Sequence, residues 1–259
     1  MKNKAILVVS FGTSYPETCE KTIGKIEEEI KEAYPEYEVY RAWTSGMIRK
    51  KVEKRDGIHI LSVSEAMEQL HKKGIEEVYV QPTHVLNGIE NDIMLKVVEA
   101  YRFFYKKIAV GTPLLTTQED SERLVELMIK EWAVKDDEML VFMGHGTEHY
   151  ANFIYPALNY QFQMKGKKNI AVGTVEGFPT VEDMIRMTKE FNPSKVILTP
   201  FMIVAGDHAN NDLAGDEEDS WKSMFEAAGF ETECVLKGLG EYKEVRQMFR
   251  EHLEAVLNS

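Results

Sequence analysis

The side chains best suited to chemistry in this sequence stand directly after short apolar runs. In Gly144-His145-Gly146-Thr147 an imidazole lies between two glycines at the end of the run Met139 to Met143. Glu176 closes the run Ile170 to Val175 and precedes Gly177, and His208 follows Val196 to Pro200 by way of Phe201 and Gly206. His84 and Glu90 stand just beyond the run Glu77 to Val80. An apolar run that ends in glycine reads as a buried strand turning tightly, and in α/β proteins ligands sit at the carboxyl ends of such strands. Two imidazoles and a carboxylate make a donor set for a borderline divalent ion such as cobalt, nickel, iron or zinc. If coordination positions stay open, the ion can be exchanged or passed on. Each residue alone also reads as a polar group satisfied in a turn or a solvated loop, so the metal reading rests on the combination.

Spacing removes several other chemistries. Gly144-x-Gly146 begins like a dinucleotide fingerprint, but His149 stands where its third glycine belongs. There is no G-x-x-x-x-G-K-[ST] loop, so nucleotide-driven chemistry has no support, and no H-E-x-x-H, G-x-S-x-G or H-x-E with C-x-x-C pattern. A net charge of -12 argues against a nucleic-acid partner. One basic cluster, Arg49-Lys50-Lys51 with Lys54 and Arg55, reads as a solvated helix face or as a contact for a small polyanion, and Arg41 is a further candidate cation. Cys19 and Cys234 lie far apart without C-x-x-C spacing and read as plain thiols. Met1-Lys2-Asn3-Lys4 passes straight into a short strand-like run with no signal-peptide core, and no apolar stretch reaches the roughly 20 residues of a membrane helix. The expectation is a cytoplasmic protein without a membrane partner. A homo-oligomer is compatible with the sequence, which leaves the oligomeric state open.

The elements that must position these groups alternate. Strand-length runs recur at Ala5 to Val9, Glu38 to Tyr40, Glu77 to Val80, Ile108 to Val110, Met139 to Met143, Ile170 to Val175, Lys195 to Leu198 and Thr232 to Leu236. Most are separated by amphipathic segments, the signature of βαβ units and a mainly parallel sheet. In the first helix Ser14 is placed to cap, Pro16 suits the first turn, and Ile23, Ile26, Ile30 and Ala33 form one apolar stripe. Further helices are expected over Glu65 to Lys73 with Gly74 as the stop, Ile89 to Phe104, Gln118 to Trp132, and Val181 to Phe191 with Thr180 and Asp183 as a capping pair.

Beneath this order lies an internal repeat. Val9-Ser10-Phe11-Gly12-Thr13 parallels Met143-Gly144-His145-Gly146-Thr147, and Pro82 to Glu90 parallels Pro200 to His208, with Gly88 against Gly206 and Glu90 against His208. Two similar halves imply two similar α/β lobes with a cleft between them. The expected division is residues 1–125 and 126–259, within a junction spanning Pro113 to Asp137.

These segments together resemble the anaerobic-type sirohydrochlorin cobaltochelatases, the CbiK-like branch of the class II chelatases that also includes protoporphyrin ferrochelatase. The resemblance spans nearly the whole chain. It is carried by Ser10-Phe11-Gly12-Thr13-Ser14 with Glu17-Thr18, Arg41-Ala42-Trp43-Thr44-Ser45, Gln81-Pro82-Thr83-His84, Gly144-His145-Gly146-Thr147, Gly173-Thr174-Val175-Glu176-Gly177 and Asp207-His208-Ala209-Asn210-Asn211-Asp212. It implies two flavodoxin-like lobes with parallel sheets, a tetrapyrrole held between them, and a metal bound by His145, Glu176 and His208, with His145 taking a proton from the macrocycle. No residue departs from the pattern at those three positions, and the signal peptide of a periplasmic branch is lacking.

Metal insertion removes two N–H protons from the ring, and a neutral imidazole near pH 7 both holds an ion and accepts a proton. Metal and proton exclude each other at one nitrogen, so His145 must release the ion as it takes the proton, or Glu90 or His84 must share the second deprotonation. Phe11, Leu86, Phe201, Met202 and Val204 are the expected apolar contacts for the flat ring, unless the last three are simply core. Ser10, Thr13 and His84 are expected among the substrate-binding residues, and the glycines Gly12, Gly88 and Gly206 let backbone amides reach the ring's carboxylates. The metal is substrate, Co2+ first with Ni2+ or Fe2+ as alternatives, and a non-catalytic metal or haem carrier would use the same ligands.

Overall fold

The computed structural model describes residues 3–259, so the reading of Met1 and Lys2 lies outside the described residues. In chain order the first half runs β1 (Lys4–Ser10), α1 (Pro16–Cys19), a π turn (Glu20–Gly24), α2 (Lys25–Ala33), β2 (Glu38–Trp43), α3 (Gly46–Asp56), α4 (Val63–Lys72), β3 (Glu77–Pro82), α5 (Ile89–Ala100) and β4 (Lys107–Val110). After α6 (Gln118–Trp132) come β5 (Glu138–Gly144), a 3₁₀ turn (Tyr150–Phe153), α7 (Ile154–Met164), β6 (Ile170–Thr174), α8 (Val181–Phe191) and β7 (Lys195–Pro200). A second π turn (Ala209–Leu213), α9 (Trp221–Ala227), β8 (Thr232–Cys234) and α10 (Lys243–Leu257) complete the chain. Every expected strand is present, and β2 and β3 run further than their apolar cores.

The strands form two four-stranded sheets, ordered β2-β1-β3-β4 and β6-β5-β7-β8, with parallel pairing throughout. The central strands β1 and β5 are buried along nearly their whole length, as parallel strands covered on both faces must be. The sequence repeat reappears as register. Val9 pairs with Pro82 in the first sheet and Met143 with Pro200 in the second, the same residues that the repeat sets in step. Beyond the strand ends the correspondence continues. Ser45 N donates to Phe11 O as Glu176 N donates to His145 O, and Leu114 N donates to His84 O as Leu239 N donates to Met202 O.

By contacts the chain divides into residues up to Thr116 with Gly240–Ser259, and Thr117–Leu239. A cut at 125/126 would pass through the middle of α6, whose Leu124, Val125, Leu127 and Met128 are buried as one stripe of the second unit. The terminal helix α10 belongs to the first unit, where Val245, Met248, Phe249 and Leu253 are buried and Arg246 Nε donates to Glu29 at 2.7 Å. His252, expected at the surface, is half-buried there with Nδ1 3.2 Å from Thr112 O. Local signals explain most helix limits: capping boxes start α4, α6 and α8, the last through Thr180 and Asp183 as expected. The first helix departs from expectation. Tyr15, not Ser14, stands at its N-cap without a side-chain capping bond to the helix, ahead of Pro16, and while Ile23, Ile26 and Ile30 are buried, Ala33 on the last turn is exposed. Among the described residues no helix is long and apolar enough to cross a membrane.

Candidate metal centre

Three loops at the carboxyl edge of the second sheet build the centre. β5 delivers Gly144 and His145, and the hydrogen-bond ladder between β5 and β6 runs on past both strands, with Val175 N donating to Gly144 O at 3.0 Å and Glu176 N to His145 O at 2.8 Å. That continuation sets His145 and Glu176 side by side. Gly146 makes the approach physically attainable. Its φ is +84°, and a Cβ there would stand 2.7 Å from Gly177 N and 2.9 Å from both Glu176 C and Thr174 Cβ. Asn152 bolts the two loops together, accepting from Thr147 N at 3.1 Å and donating to Phe178 O at 2.7 Å. Below them Thr174 N donates to Pro179 O at 2.7 Å, and the Phe178–Pro179 bond is cis.

His208 arrives from β7 at the N-cap of the second π turn. Asn210 Nδ2 donates to Gly206 O at 2.7 Å, which holds the entry to that turn. The imidazole of His208 crosses that of His145 edge to face, with ring centroids 4.7 Å apart and planes at 87°. His145 Nδ1 is 3.8 Å from Glu176 Oε2. One donor atom from each of His145, Glu176 and His208 lies within 4.8 Å of the others. Donors on a tetrahedral first-row ion, at about 2.1 Å from it, stand roughly 3.4 Å apart, so modest side-chain rotations close this set. The side chains of His145, Glu176 and His208 are 42%, 59% and 33% exposed, which leaves one side of the coordination sphere open.

A carbonyl oxygen only accepts hydrogen bonds, so the 2.9 Å contact of His145 Nδ1 with Gly146 O places the proton on Nδ1 and the lone pair on Nε2. The same reasoning applies to His208, whose Nδ1 is 2.7 Å from Asp212 Oδ2. Both imidazoles therefore carry their lone pair on Nε2, the nitrogen left to serve as a metal donor.

The other residues expected at the site fall into distinct environments. Phe201 is 1% exposed and packs edge-on against Phe142 at 5.5 Å, so it belongs to the core and offers no face to a ring. Met202, half-buried, packs against the core of the second sheet; Val204 is half-buried and Gly206 buried. In the first unit Ser10 Oγ accepts from Thr83 Oγ1 at 2.8 Å in a buried pair, and Thr13 Oγ1 accepts from Tyr15 N at 3.3 Å. Gly12, at φ +101°, is demanded by Trp43, whose ring a Cβ would meet at 2.6 Å, whereas a Cβ on Gly88 would enter open space. Phe11 is 39% exposed at the end of β1. Leu86 is half-buried and bridges to Leu115, and Glu90 is half-buried in the first turn of α5.

His84 is buried with neither ring nitrogen hydrogen-bonded, and this burial pushes its pKa down to about 4 against a smaller opposing effect of Asn91. Arg41 is not a free cation for a substrate. Its Nε donates to both Glu27 carboxylate oxygens at 2.8 and 2.9 Å, and its guanidinium lies 5.8 Å from the centre of the Trp43 ring. In the basic cluster Arg49 pairs with Glu65 and Arg55 with Asp56. His149 caps the 3₁₀ turn, accepting from Ala151 N at 3.2 Å. Sequence reasoning passed over Asn152 and quoted Asp212 in a motif without giving it a role. Only Asp212 carried a signal, its position four residues after His208, on the same face of a helical turn.

Comparison with known proteins decides the family. The family model described as cobalt chelatase (CbiK) matches residues 4–258. This chain belongs to the CbiK cobalt chelatase family. It is 39% identical over 256 residues to the sirohydrochlorin cobaltochelatase of Salmonella typhimurium, covering 98% of this chain and 97% of that protein. It is 31% identical over 267 residues to the sirohydrochlorin cobaltochelatase CbiKC of Nitratidesulfovibrio vulgaris, covering 100% of this chain and 92% of the relative. The fold is also that of a crystal structure of the sirohydrochlorin chelatase SirB from Bacillus subtilis subspecies spizizenii in complex with cobalt. The TM-score is 0.66 at 15% identity, over 100% of this chain and 96% of that one.

Proposed function

We propose that this chain inserts Co2+ into sirohydrochlorin, the metal-loading step of anaerobic cobalamin biosynthesis, in the cytoplasm and without a nucleotide. The convergence of His145, Glu176 and His208 in an open donor set carries the reading. It is supported by relatives of nearly the same length that are named for this reaction.

In the proposed reaction the ring gives up two N–H protons and gains one divalent ion, so charge balances with no electron transfer. Four ring nitrogens replace the protein donors, and that coordination drives the exchange. The ion is delivered from Glu176 and the two imidazoles. His145 then accepts a pyrrole proton on the Nε2 lone pair that the departing metal vacates, which keeps metal and proton from competing for one site. Glu90 is the proposed second acceptor in preference to His84, because burial without a partner makes a charged His84 unfavourable. Phe11, Leu86, Met202 and Val204 remain the proposed apolar contacts of the macrocycle.

The test is absorbance of sirohydrochlorin mixed with catalytic amounts of the purified protein and Co2+, Ni2+ or Fe2+. The expected result is many equivalents of cobalt product, with insertion by His145→Ala reduced by about 100-fold or more. A signal that stops at one equivalent identifies a carrier and overturns the proposal.

A further inference from the structure

The two histidines of the donor set differ in what stands behind them. His145 Nδ1 faces a neutral peptide oxygen, Gly146 O, at 2.9 Å, whereas His208 Nδ1 faces the Asp212 carboxylate at 2.7 Å. A carboxylate behind an imidazole raises the electron density at the far nitrogen, fixes its tautomer and strengthens it as a metal ligand. The backbone prepares this pair. His208 and Asp212 are four apart across the π turn Ala209–Leu213, whose bond from Ala214 N to Ala209 O at 3.2 Å spans five residues. In that wider turn residues four apart stand nearly in line, and single π turns of this kind concentrate at functional sites. The Asp212 side chain makes no other hydrogen bond among the described residues and is 46% exposed, so an exposed pair of this sort adds little to folding.

We infer that Asp212 is a positioning residue that makes His208 the retaining ligand, leaving His145, whose Nδ1 hydrogen-bonds a carbonyl and meets a carboxylate only at 3.8 Å, as the ligand that lets go of the ion. This division rests on the ligand set of the proposed function. It resolves the conflict of metal and proton at His145, because the ion stays anchored through His208 and Glu176 while His145 changes partner.

Asp212→Asn is the informative variant. It keeps the size of the side chain, but an amide donates as well as accepts, so it no longer dictates which nitrogen of His208 carries the proton. Cobalt titration by calorimetry, without tetrapyrrole, is expected to show affinity lowered 10- to 100-fold. The thermal midpoint should stay unchanged, and the KM for cobalt should rise while kcat at saturating cobalt holds within about two-fold. His208→Ala is measured alongside. If His208→Ala binds cobalt weakly and Asp212→Asn binds it like the parent, the role of Asp212 is overturned and the ligand set stands. If both bind like the parent, the ligand set itself is wrong.

Discussion

At the scale of single residues, His84 shows how burial overrides residue type. It follows the Pro82-Thr83 strand end as His145 follows its own strand, and from the sequence both qualify as proton acceptors. The structure separates them. His145 is partly exposed with its lone pair on Nε2, whereas His84 is 8% exposed with both ring nitrogens unpaired. Because the folded pKa of His84, about 4, is below its unfolded value near 6.5, the unfolded chain binds a proton first as pH falls. Stability is therefore full above about pH 6.5 and is lost as pH drops toward 4, by at most about 3 kcal/mol from this group. Urea unfolding at pH 7.5, 5.5 and 4.5 should show that the stability difference between the parent and His84→Met changes by about this much across the window and is flat above it. Parallel curves for the two proteins would show that His84 does not titrate in this way. The candidate metal donors, which the structure brings together, were legible because each follows an apolar run. Phe201 misled because an aromatic residue next to a strand end looks the same whether it faces a ligand or, as here, Phe142.

At the scale of elements, the strands were the most legible part, since burial on both faces of a parallel sheet forces continuous apolar runs. Helices α7, α9 and α10 were not read. In Ile154–Met164 aromatic and amide side chains blur the apolar stripe, and α9 is only seven residues long. What no sequence pattern displayed was how closely the loops after β5 and β6 approach. That approach depends on Gly146, and Gly146→Ala tests it. A methyl group would meet the backbone of Gly177 and Glu176 within 3 Å, in a conformation that already disfavours alanine. The loops must part. We expect a loss of about 1–3 kcal/mol in stability, from strain at positive φ and the clash. Cobalt affinity should fall at least tenfold, since Glu176 moves away from His145. Calorimetry and thermal melting on the same sample check both, and unchanged cobalt affinity would mean that the approach of the two loops is not what brings the ligands together.

At the scale of the whole molecule, the repeat noticed in the sequence is a repeat of register and of the hydrogen bonds past each strand end. Its two copies have diverged in chemistry. Phe11 occupies the place of His145, and Ser45, by its bond to Phe11 O, the place of Glu176, so the first unit keeps the framework and lacks two of the three donors. The repeat did not reveal that the helix after the fourth strand of each half belongs to the opposite unit, because an amphipathic stripe states that a face is buried and not against what. The exchange separates stability from metal binding. Phe249, fully buried on α10, supports the first unit, while all three candidate metal donors belong to the second. Phe249→Ala should cost about 3–5 kcal/mol of stability, as truncation of a buried aromatic side chain does. Cobalt affinity of the folded protein, titrated at low temperature without tetrapyrrole, should stay within about two-fold of the parent, because no ligand or supporting loop contains the lesion. Cobalt affinity that falls as steeply as stability would mean that α10 helps to shape the metal centre, and the assignment of the centre to residues 117–239 alone would have to be given up.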